Sequence, residues 1–320
     1  MTDRAQIDRL AQALDAVLAD PGAALPVDPE TAELLGIARD LRDLPRAAFK
    51  ARLAADLERR ATMTNTTAAP AREAGQTVTV YLAVRPALEL IEFVKRAFGA
   101  QELERTTGSA GGLHAEVRIG DTTVMIGGGD AWGGTPTPTA LHLYVPDADQ
   151  VYRRAVDAGA VTLHAPVDQA YGDREAAVRD LAGNHWYIAT RLAGRHVPPG
   201  LGSVTPYLHP RGSGRLIDFL KRAFAAEEME VVRTPDDTVT HAKIRLGRSV
   251  IELGEAHDQW QPMPTMFYVD VDDVDAWYRR ALDAGGAALE PPADQPYGHR
   301  RAAVRDAFDN QWYLAMPIRA

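Results

Sequence analysis

Short strand patterns and amphipathic helix patterns alternate along residues 77–193. Val78 to Val84 is a run of β-branched and apolar residues, which is typical of a strand, and Ala87 to Ala97 has apolar residues at helical spacing. Three more strands are expected before a second unit of the same kind begins. The second unit is predicted to contain a strand at Ala140 to Val145, a helix at Ala148 to Ala158, a strand around Val161 to His164 and a hairpin leading to Asn184 to Ala189.

The same pattern recurs 126 residues later. Residues 145–189 match residues 271–315 at 26 of 45 positions, and LIEFVKRAFGA at Leu90 recurs as LIDFLKRAFAA at Leu216. The chain is therefore predicted to be an α+β protein with four βαβββ modules, two in each repeat. The predicted divisions are a small helical leader (1–62), a flexible tether (63–76), a first domain (77–193), a linker (194–202) and a second domain (203–318).

Two long segments carry a resemblance to a known family. They are YGDREAAVRDLAGNHWYIAT, which begins at Tyr171, and YGHRRAAVRDAFDNQWYLAM, which begins at Tyr297. Together with the two helix motifs, they are similar to the glyoxalase/bleomycin-resistance/extradiol-dioxygenase group, the vicinal oxygen chelate superfamily, and most to its PhnB-like branch. The resemblance implies two tandem glyoxalase-like domains, in which paired modules curl around a cleft. It does not specify a reaction.

The resemblance also implies where a metal ion would be bound. In metal-using members, each cleft takes one ligand from the first strand and one from a late strand of each module. By local motif, these positions are Thr79, Met125, Ala140 and Tyr187 in the first domain and Thr205, Glu252, Met266 and Tyr313 in the second. Only Glu252 keeps the ligand chemistry, and one carboxylate does not hold a divalent ion. We therefore expect no metal and no other cofactor.

Strand alternation predicts which side chains share the cleft of the first domain. A hairpin that turns at Gly120 should pair Glu116 with Met125 and place His114 on the same face. In the second domain, Lys243 opposite Glu252 predicts a neutral structural pair. The predicted ligand-binding residues are Tyr81, His114, Glu116, His142, Tyr144, His185 and Tyr187.

The leading hypothesis is a small-molecule-binding protein with an organic ligand in the cleft of the first domain. The alternative is an enzyme of the same superfamily, a lyase, isomerase or hydrolase. In it His142 or Glu116 would be the general base, or His114, Glu116 and His142 would hold a relocated metal. His114 recurs as His241, which favours a structural role, whereas Tyr268 stands at the position of His142 in the second domain.

Composition excludes several other classes. The chain has 320 residues and no cysteine, so disulfides and thiolate metal sites are ruled out. Its net charge is −9, with no dense basic run, which disfavours nucleic acid as a partner. No apolar stretch is long enough to span a membrane, and a cytoplasmic location is expected.

The leader contains three short amphipathic patterns, the first with Leu10, Leu14 and Val17 on one helical face. Short isolated helices are marginally stable in water, so these apolar faces need a cover. They could pack on one another, on the following domains or on a second chain. A homodimer through these helices is therefore one of the alternatives, as is a regulator whose leader contacts a partner protein.

Overall fold

The computed structural model describes residues 76–108, 111–258 and 260–318. The described residues form four βαβββ modules, which confirms the predicted α+β class with two tandem glyoxalase-like domains. The predicted leader, the tether up to residue 75 and the homodimer through the leader helices lie outside the described residues. No helix in these ranges is long and apolar enough to cross a membrane.

The modules follow the predicted order of elements. The first comprises β1 (Val78–Val84), α1 (Ala87–Phe98), β2 (Gln101–Thr107), β3 (Leu113–Ile119) and β4 (Thr122–Gly128). The second comprises β5 (Ala140–Tyr144), α2 (Ala148–Asp157), β6 (Val161–Asp168), β7 (Asp173–Arg179) and β8 (His185–Arg191). The third comprises β9 (Val204–Leu208), α3 (Ser213–Phe224), β10 (Glu227–Arg233), β11 (Val239–Leu246) and β12 (Ser249–Leu253). The fourth comprises β13 (Met266–Asp270), α4 (Val274–Asp283), β14 (Ala287–Asp294), β15 (His299–Arg305) and β16 (Gln311–Pro317).

The strands form two eight-stranded sheets that do not coincide with the two sequence repeats. Sheet 1 has the order β14-β15-β16-β13-β1-β4-β3-β2, so it joins the first module to the fourth. Sheet 2 has the order β10-β11-β12-β9-β5-β8-β7-β6, so it joins the second module to the third. Each repeat along the chain therefore contributes one module to each sheet.

The strand directions explain how neighbouring modules in the chain share sheet 2. β5 is parallel to β8 and antiparallel to β9. The end of β8 and the start of β9 therefore lie at the same end of the sheet, two strand spacings or about 10 Å apart. The connection 192–203 easily spans that distance. Residues 129–139, and residues 254–258 and 260–265, instead lie between strands that belong to different sheets.

Hydrogen bonds between hairpin turns and strand starts join the two sheets. The Asp121 carboxylate, from the β3–β4 turn of sheet 1, accepts from the Ser203 backbone N–H at 2.7 Å, just before β9. At the related junction, the Ser249 hydroxyl of sheet 2 accepts from the backbone N–H groups of Thr77 and Val78 at 3.0 and 2.9 Å. These bonds satisfy backbone donors at the starts of both central strands.

The helices pack on one face of each sheet, and we call the opposite face the inner face. Leu141, Leu143 and Trp186 are fully buried in the core on the helix side. The Trp186 indole N–H donates to the Asp180 carboxylate at 2.8 Å, as expected for a buried tryptophan. Because strand side chains alternate, His142 lies on the inner face.

Candidate functional site

The structure divides the predicted ligand-binding residues between two sheets. On the inner face of sheet 1 lie Tyr81, His114 and Glu116, and on that of sheet 2 lie His142, Tyr144, His185 and Tyr187. The expectation of one cleft built from both modules of 77–193 is therefore corrected. The physical reason is strand pairing, because β1 pairs with β13 and β5 pairs with β9. The relocated metal set of His114, Glu116 and His142 is likewise not brought together.

His142 lies buried at the centre of sheet 2, between two carboxylates. Its Nδ1 is 2.8 Å from Oε2 of Glu252 on β12, and its Nε2 is 3.0 Å from Oε2 of Glu175 on β7. Glu252 and Glu175 are also buried. A neutral imidazole has only one N–H, so donation to both carboxylates requires the imidazolium form. The inner face of sheet 2 thus contains a buried Glu–His–Glu cluster.

The electrostatics of the cluster agree with its geometry. Burial by itself would lower the pKa of His142, but the charge of Glu252 and the hydrogen bond to Glu175 outweigh burial and raise it to about 10. Burial would raise the pKa of Glu175, yet hydrogen bonds from His142 and His164 lower it to about 2. His142 is therefore a cation at neutral pH. It has no free lone pair with which to act as a general base.

Three tyrosine rings surround the His142 ring. The ring centroids of Tyr144, Tyr207 and Tyr187 lie 5.1, 5.2 and 5.7 Å from that of His142. Burial raises the pKa of all three phenols, which therefore remain neutral. His185, by contrast, is paired with Ala140 at the start of β8 and lies outside this ring cluster.

Two outer histidines face the free oxygens of the carboxylates. The Nε2 atom of His164 lies 3.5 Å from Oε1 of Glu175, and that of His241 lies 3.8 Å from Oε1 of Glu252. The Tyr171 hydroxyl donates to Glu175 at 3.0 Å. Our sequence reasoning missed Glu175. The signal was present, because Arg301 stands at its position in the second repeat.

A second group of aromatic residues lies beside the Glu–His–Glu cluster. The Trp260 ring, from the segment that passes between the sheets, stacks on His209 with a centroid distance of 5.8 Å and an interplanar angle of 15°. It meets Tyr187 edge-on at 5.2 Å. Burial, aided by the charge of His142, lowers the pKa of His209 to about 4. His209 is thus neutral, and its Nε2 lies 3.1 Å from the Tyr187 hydroxyl.

A cavity of about 290 Å³ adjoins these aromatic residues. His209 and Met263 line it together with Arg211, Arg215 and Phe308. The Arg215 guanidinium lies over the Phe308 ring, 5.4 Å from its centroid. The cavity therefore combines apolar surface with two guanidinium groups and the Asp309 carboxylate, and its size is near the lower end of the range for small-molecule sites.

The inner face of sheet 1 has different chemistry. Arg301 donates to Oε2 of Glu290 at 2.6 Å and lies over the Tyr313 ring, 5.3 Å from its centroid. Tyr81 and His114 stack with centroids 5.6 Å apart, and the Tyr81 hydroxyl lies 3.2 Å from His114 Nδ1. Burial raises the pKa of Tyr81 to about 12. Sheet 1 thus carries a guanidinium where sheet 2 carries the Glu175 carboxylate.

The residues do not fit the metal ion that the family resemblance implies. In sheet 1 the positions equivalent to the family's metal ligands are Thr79, Met125, Met266 and Tyr313. In sheet 2 they are Ala140, Tyr187, Thr205 and Glu252. The only carboxylate among them, Glu252, is bound to His142. Within 76–108, 111–258 and 260–318, no group of three or more histidine, aspartate or glutamate side chains is placed to hold a metal.

The sequence predicted that Lys243 pairs with Glu252, and this prediction is wrong. The two residues are opposite each other in register, but Lys243 Nζ binds Oε2 of Glu230 at 2.8 Å. Glu230 is half-exposed, so this pairing keeps the ammonium group partly hydrated. The buried Glu252 is compensated by His142 instead.

Comparisons with known proteins agree with this architecture. A family model described as the Glyoxalase/Bleomycin resistance protein/Dioxygenase superfamily matches residues 76–188 and 213–314. An uncharacterized protein of Mycobacterium bovis is 40% identical over 119 residues, which are 34% of this chain and 78% of that protein. Anthracycline biosynthesis protein DnrV of Streptomyces peucetius is 28% identical over 184 residues, 56% of this chain and 66% of that protein. The crystal structure of glyoxalase I from Zea mays has a TM-score of 0.56 and 15% identity, covering 75% of this chain and 92% of that one, which shows a common fold.

Proposed function

This chain belongs to the Glyoxalase/Bleomycin resistance protein/Dioxygenase superfamily, and we propose that it is a small-molecule-binding protein that holds an organic ligand at sheet 2 without a metal ion. The observation that carries the proposal is the aromatic group of Tyr187, His209 and Trp260 beside a cavity of about 290 Å³. The proposed ligand site therefore lies beside the third module, with part of its wall from the fourth, and not within residues 77–193.

The surroundings of the cavity favour a flat, aromatic ligand. His209 lines the cavity and stacks nearly parallel on Trp260, and aromatic rings of this kind gain energy from contact with a further planar ring. Met263 adds an adaptable apolar contact, while Arg211 and Arg215 supply donors to oxygen substituents. One relative is named as a protein of anthracycline biosynthesis, so an anthracycline is a suitable first probe.

Binding is also the role that the Glu–His–Glu cluster supports. Both ring nitrogens of His142 are held by carboxylates, so we assign it no proton-transfer step. The cluster instead acts on the site through Tyr187, which packs edge-on against the His142 ring and whose hydroxyl lies 3.1 Å from Nε2 of His209 in the cavity wall.

Titration of the purified protein with an anthracycline, followed by the ligand's own fluorescence, tests the proposal. We expect saturable binding that His209→Ala or Trp260→Ala weakens by about tenfold or more, the equivalent of ~1.4 kcal/mol. Trp132→Ala is the matched control, because Trp132 lies in the corresponding segment 129–139 and packs against Arg85 instead of Tyr187.

An unbiased screen by mass spectrometry of metabolites retained by the protein extends the test to other ligands. Retained compounds should be planar and aromatic and should be lost in the Trp260→Ala variant. The proposal fails if nothing is retained and no anthracycline binds, or if Trp132→Ala weakens binding as much as Trp260→Ala.

A further inference from the structure

We propose that the inner face of sheet 2 is a built cation site whose resident cation is the imidazolium ring of His142. When that ring is removed, the site should accept a small exogenous imidazolium in its place. This inference concerns the interior of the sheet and is independent of the ligand proposed above.

Two buried carboxylates converge on the ring of His142. Glu175 and Glu252 approach opposite nitrogens of His142 at 3.0 and 2.8 Å. The side chains of Glu175 and Glu252 are only 8% and 1% exposed. Burying two carboxylates this deeply is strongly unfavourable unless a cation lies between them. Folding of sheet 2 therefore requires positive charge at this point.

Each of the two carboxylates also has a neighbour other than His142. Each carboxylate has one oxygen on His142, and its other oxygen is near a further histidine, His164 at 3.5 Å or His241 at 3.8 Å. The Tyr171 hydroxyl also donates to Glu175 at 3.0 Å. Both carboxylates therefore have neighbours other than His142, which favours their staying in place around the space that removal of the ring would leave.

The positions of sheet 1 that correspond to the three residues of the cluster all carry different side chains. Tyr268 replaces His142, Arg301 replaces Glu175, and Met125 occupies the strand position related to Glu252. The cation and both carboxylates are thus present together in sheet 2 and absent together from the equivalent positions of sheet 1. This pattern is expected if the three charges are needed together, because each carboxylate requires the cation and the cation requires the carboxylates.

The test is chemical replacement of the ring in the full chain. His142→Gly removes it, and His142→Gly with Glu175→Gln and Glu252→Gln also removes the need for a cation. We expect imidazole to raise the melting temperature of the single variant at neutral pH. The triple variant should bind imidazole at least about tenfold more weakly. The matched control ligand is 1,2,4-triazole, which has the same shape but remains uncharged, and it should give no comparable shift.

Imidazole binding measured by calorimetry provides a second readout. The single variant should bind about one imidazole per chain, whereas wild type and the triple variant should bind it at least about tenfold more weakly. Equal rescue by triazole would show mere cavity filling and overturn the proposal. Equal imidazole affinity in wild type would overturn it as well, because the ring would then not occupy the site.

If His142→Gly does not fold alone, refolding of the variants provides the measurement. Recovery of folded protein on refolding with imidazole, or unaided folding of the triple variant, would support the charge argument. If the triple variant is as unstable as the single one and imidazole recovers neither, the buried charges do not create the requirement and the proposal is wrong.

Discussion

His142 and Glu252 lie 110 positions apart in the chain, yet Nδ1 of His142 is 2.8 Å from Oε2 of Glu252. The two residues are on β5 and β12, which flank β9 on its two sides. Their contact exists only because the second and third modules share one sheet. This contact pairs Glu252, which stands at a family metal-ligand position, with His142. The imidazolium of His142 takes the place of an external cation.

Removing one carboxylate should leave the buried imidazolium undercompensated. We expect Glu252→Gln to lower the free energy of unfolding by about 3 kcal/mol, the scale of breaking a buried ion pair. Lys243→Gln is the control, because its partner Glu230 is half-exposed and such pairs contribute below about 1 kcal/mol. Urea denaturation measures both, and equal losses would contradict the assignment.

The Glu–His–Glu cluster also predicts a pH dependence of stability. The pKa of His142 is raised from 6.5 to about 10, so its contribution is complete below about pH 6.5 and is lost as pH rises toward 10. The pKa of Glu175 is lowered from 4.5 to about 2, so its contribution is complete above about pH 4.5 and is lost as pH falls toward 2. The contribution of the cluster should therefore be greatest between pH 4.5 and 6.5.

Nitrogen NMR of the histidine rings gives a direct check of the charged state. Both nitrogens of His142 should remain protonated at pH 8, whereas His209, whose pKa is lowered to about 4, should be neutral there. Assignment through His142→Gln and His209→Gln identifies the two signals. A neutral His142 at pH 8 would contradict the cluster.

The shared sheets predict which strands can be cross-linked. The chain has no cysteine, so two introduced cysteines report on one contact. Val78 is the Cα partner of Val269 in the β1–β13 pair, and Val78→Cys with Val269→Cys should form a disulfide within one chain. Val80→Cys with Leu141→Cys should not, since β1 does not pair with β5. Counting free thiols under non-reducing conditions shows which of the two variants forms the disulfide. A disulfide in the Val80→Cys/Leu141→Cys variant and free thiols in the other would favour pairing of β1 with β5 within one repeat.

Binding without metal predicts insensitivity to chelators. Protein dialysed against a chelator should hold much less than one equivalent of zinc, manganese, iron or nickel by elemental analysis. Its ligand affinity should also be unchanged. If the protein keeps about one equivalent of metal, and loses its affinity for the ligand when that metal is removed, the binding site depends on a metal and the proposal is wrong.

Local patterns alone were sufficient for the elements and for strand register within a module. The structure confirms that Glu116 pairs with Met125 and that His114 pairs with Gly127 across the β3–β4 hairpin. These relations follow from period-two alternation around a tight turn, which involves only neighbouring residues. The predicted Val161 to His164 strand was too short, because β6 continues to Asp168 past an irregularity in its pairing with β7.

The partner of each module was decided by tertiary structure. All four modules begin with equivalent strands, so pairing of β5 with β1 or with β9 satisfies the same hydrophobic pattern. The repeat therefore predicted modules, inner faces and a superfamily, but not which inner faces meet. The site depends on that choice, because Glu252 reaches His142 only when β9 lies between β5 and β12. Side-chain alternation is encoded over a few residues, whereas the charge balance of a buried histidine depends on strands brought together from distant parts of the chain.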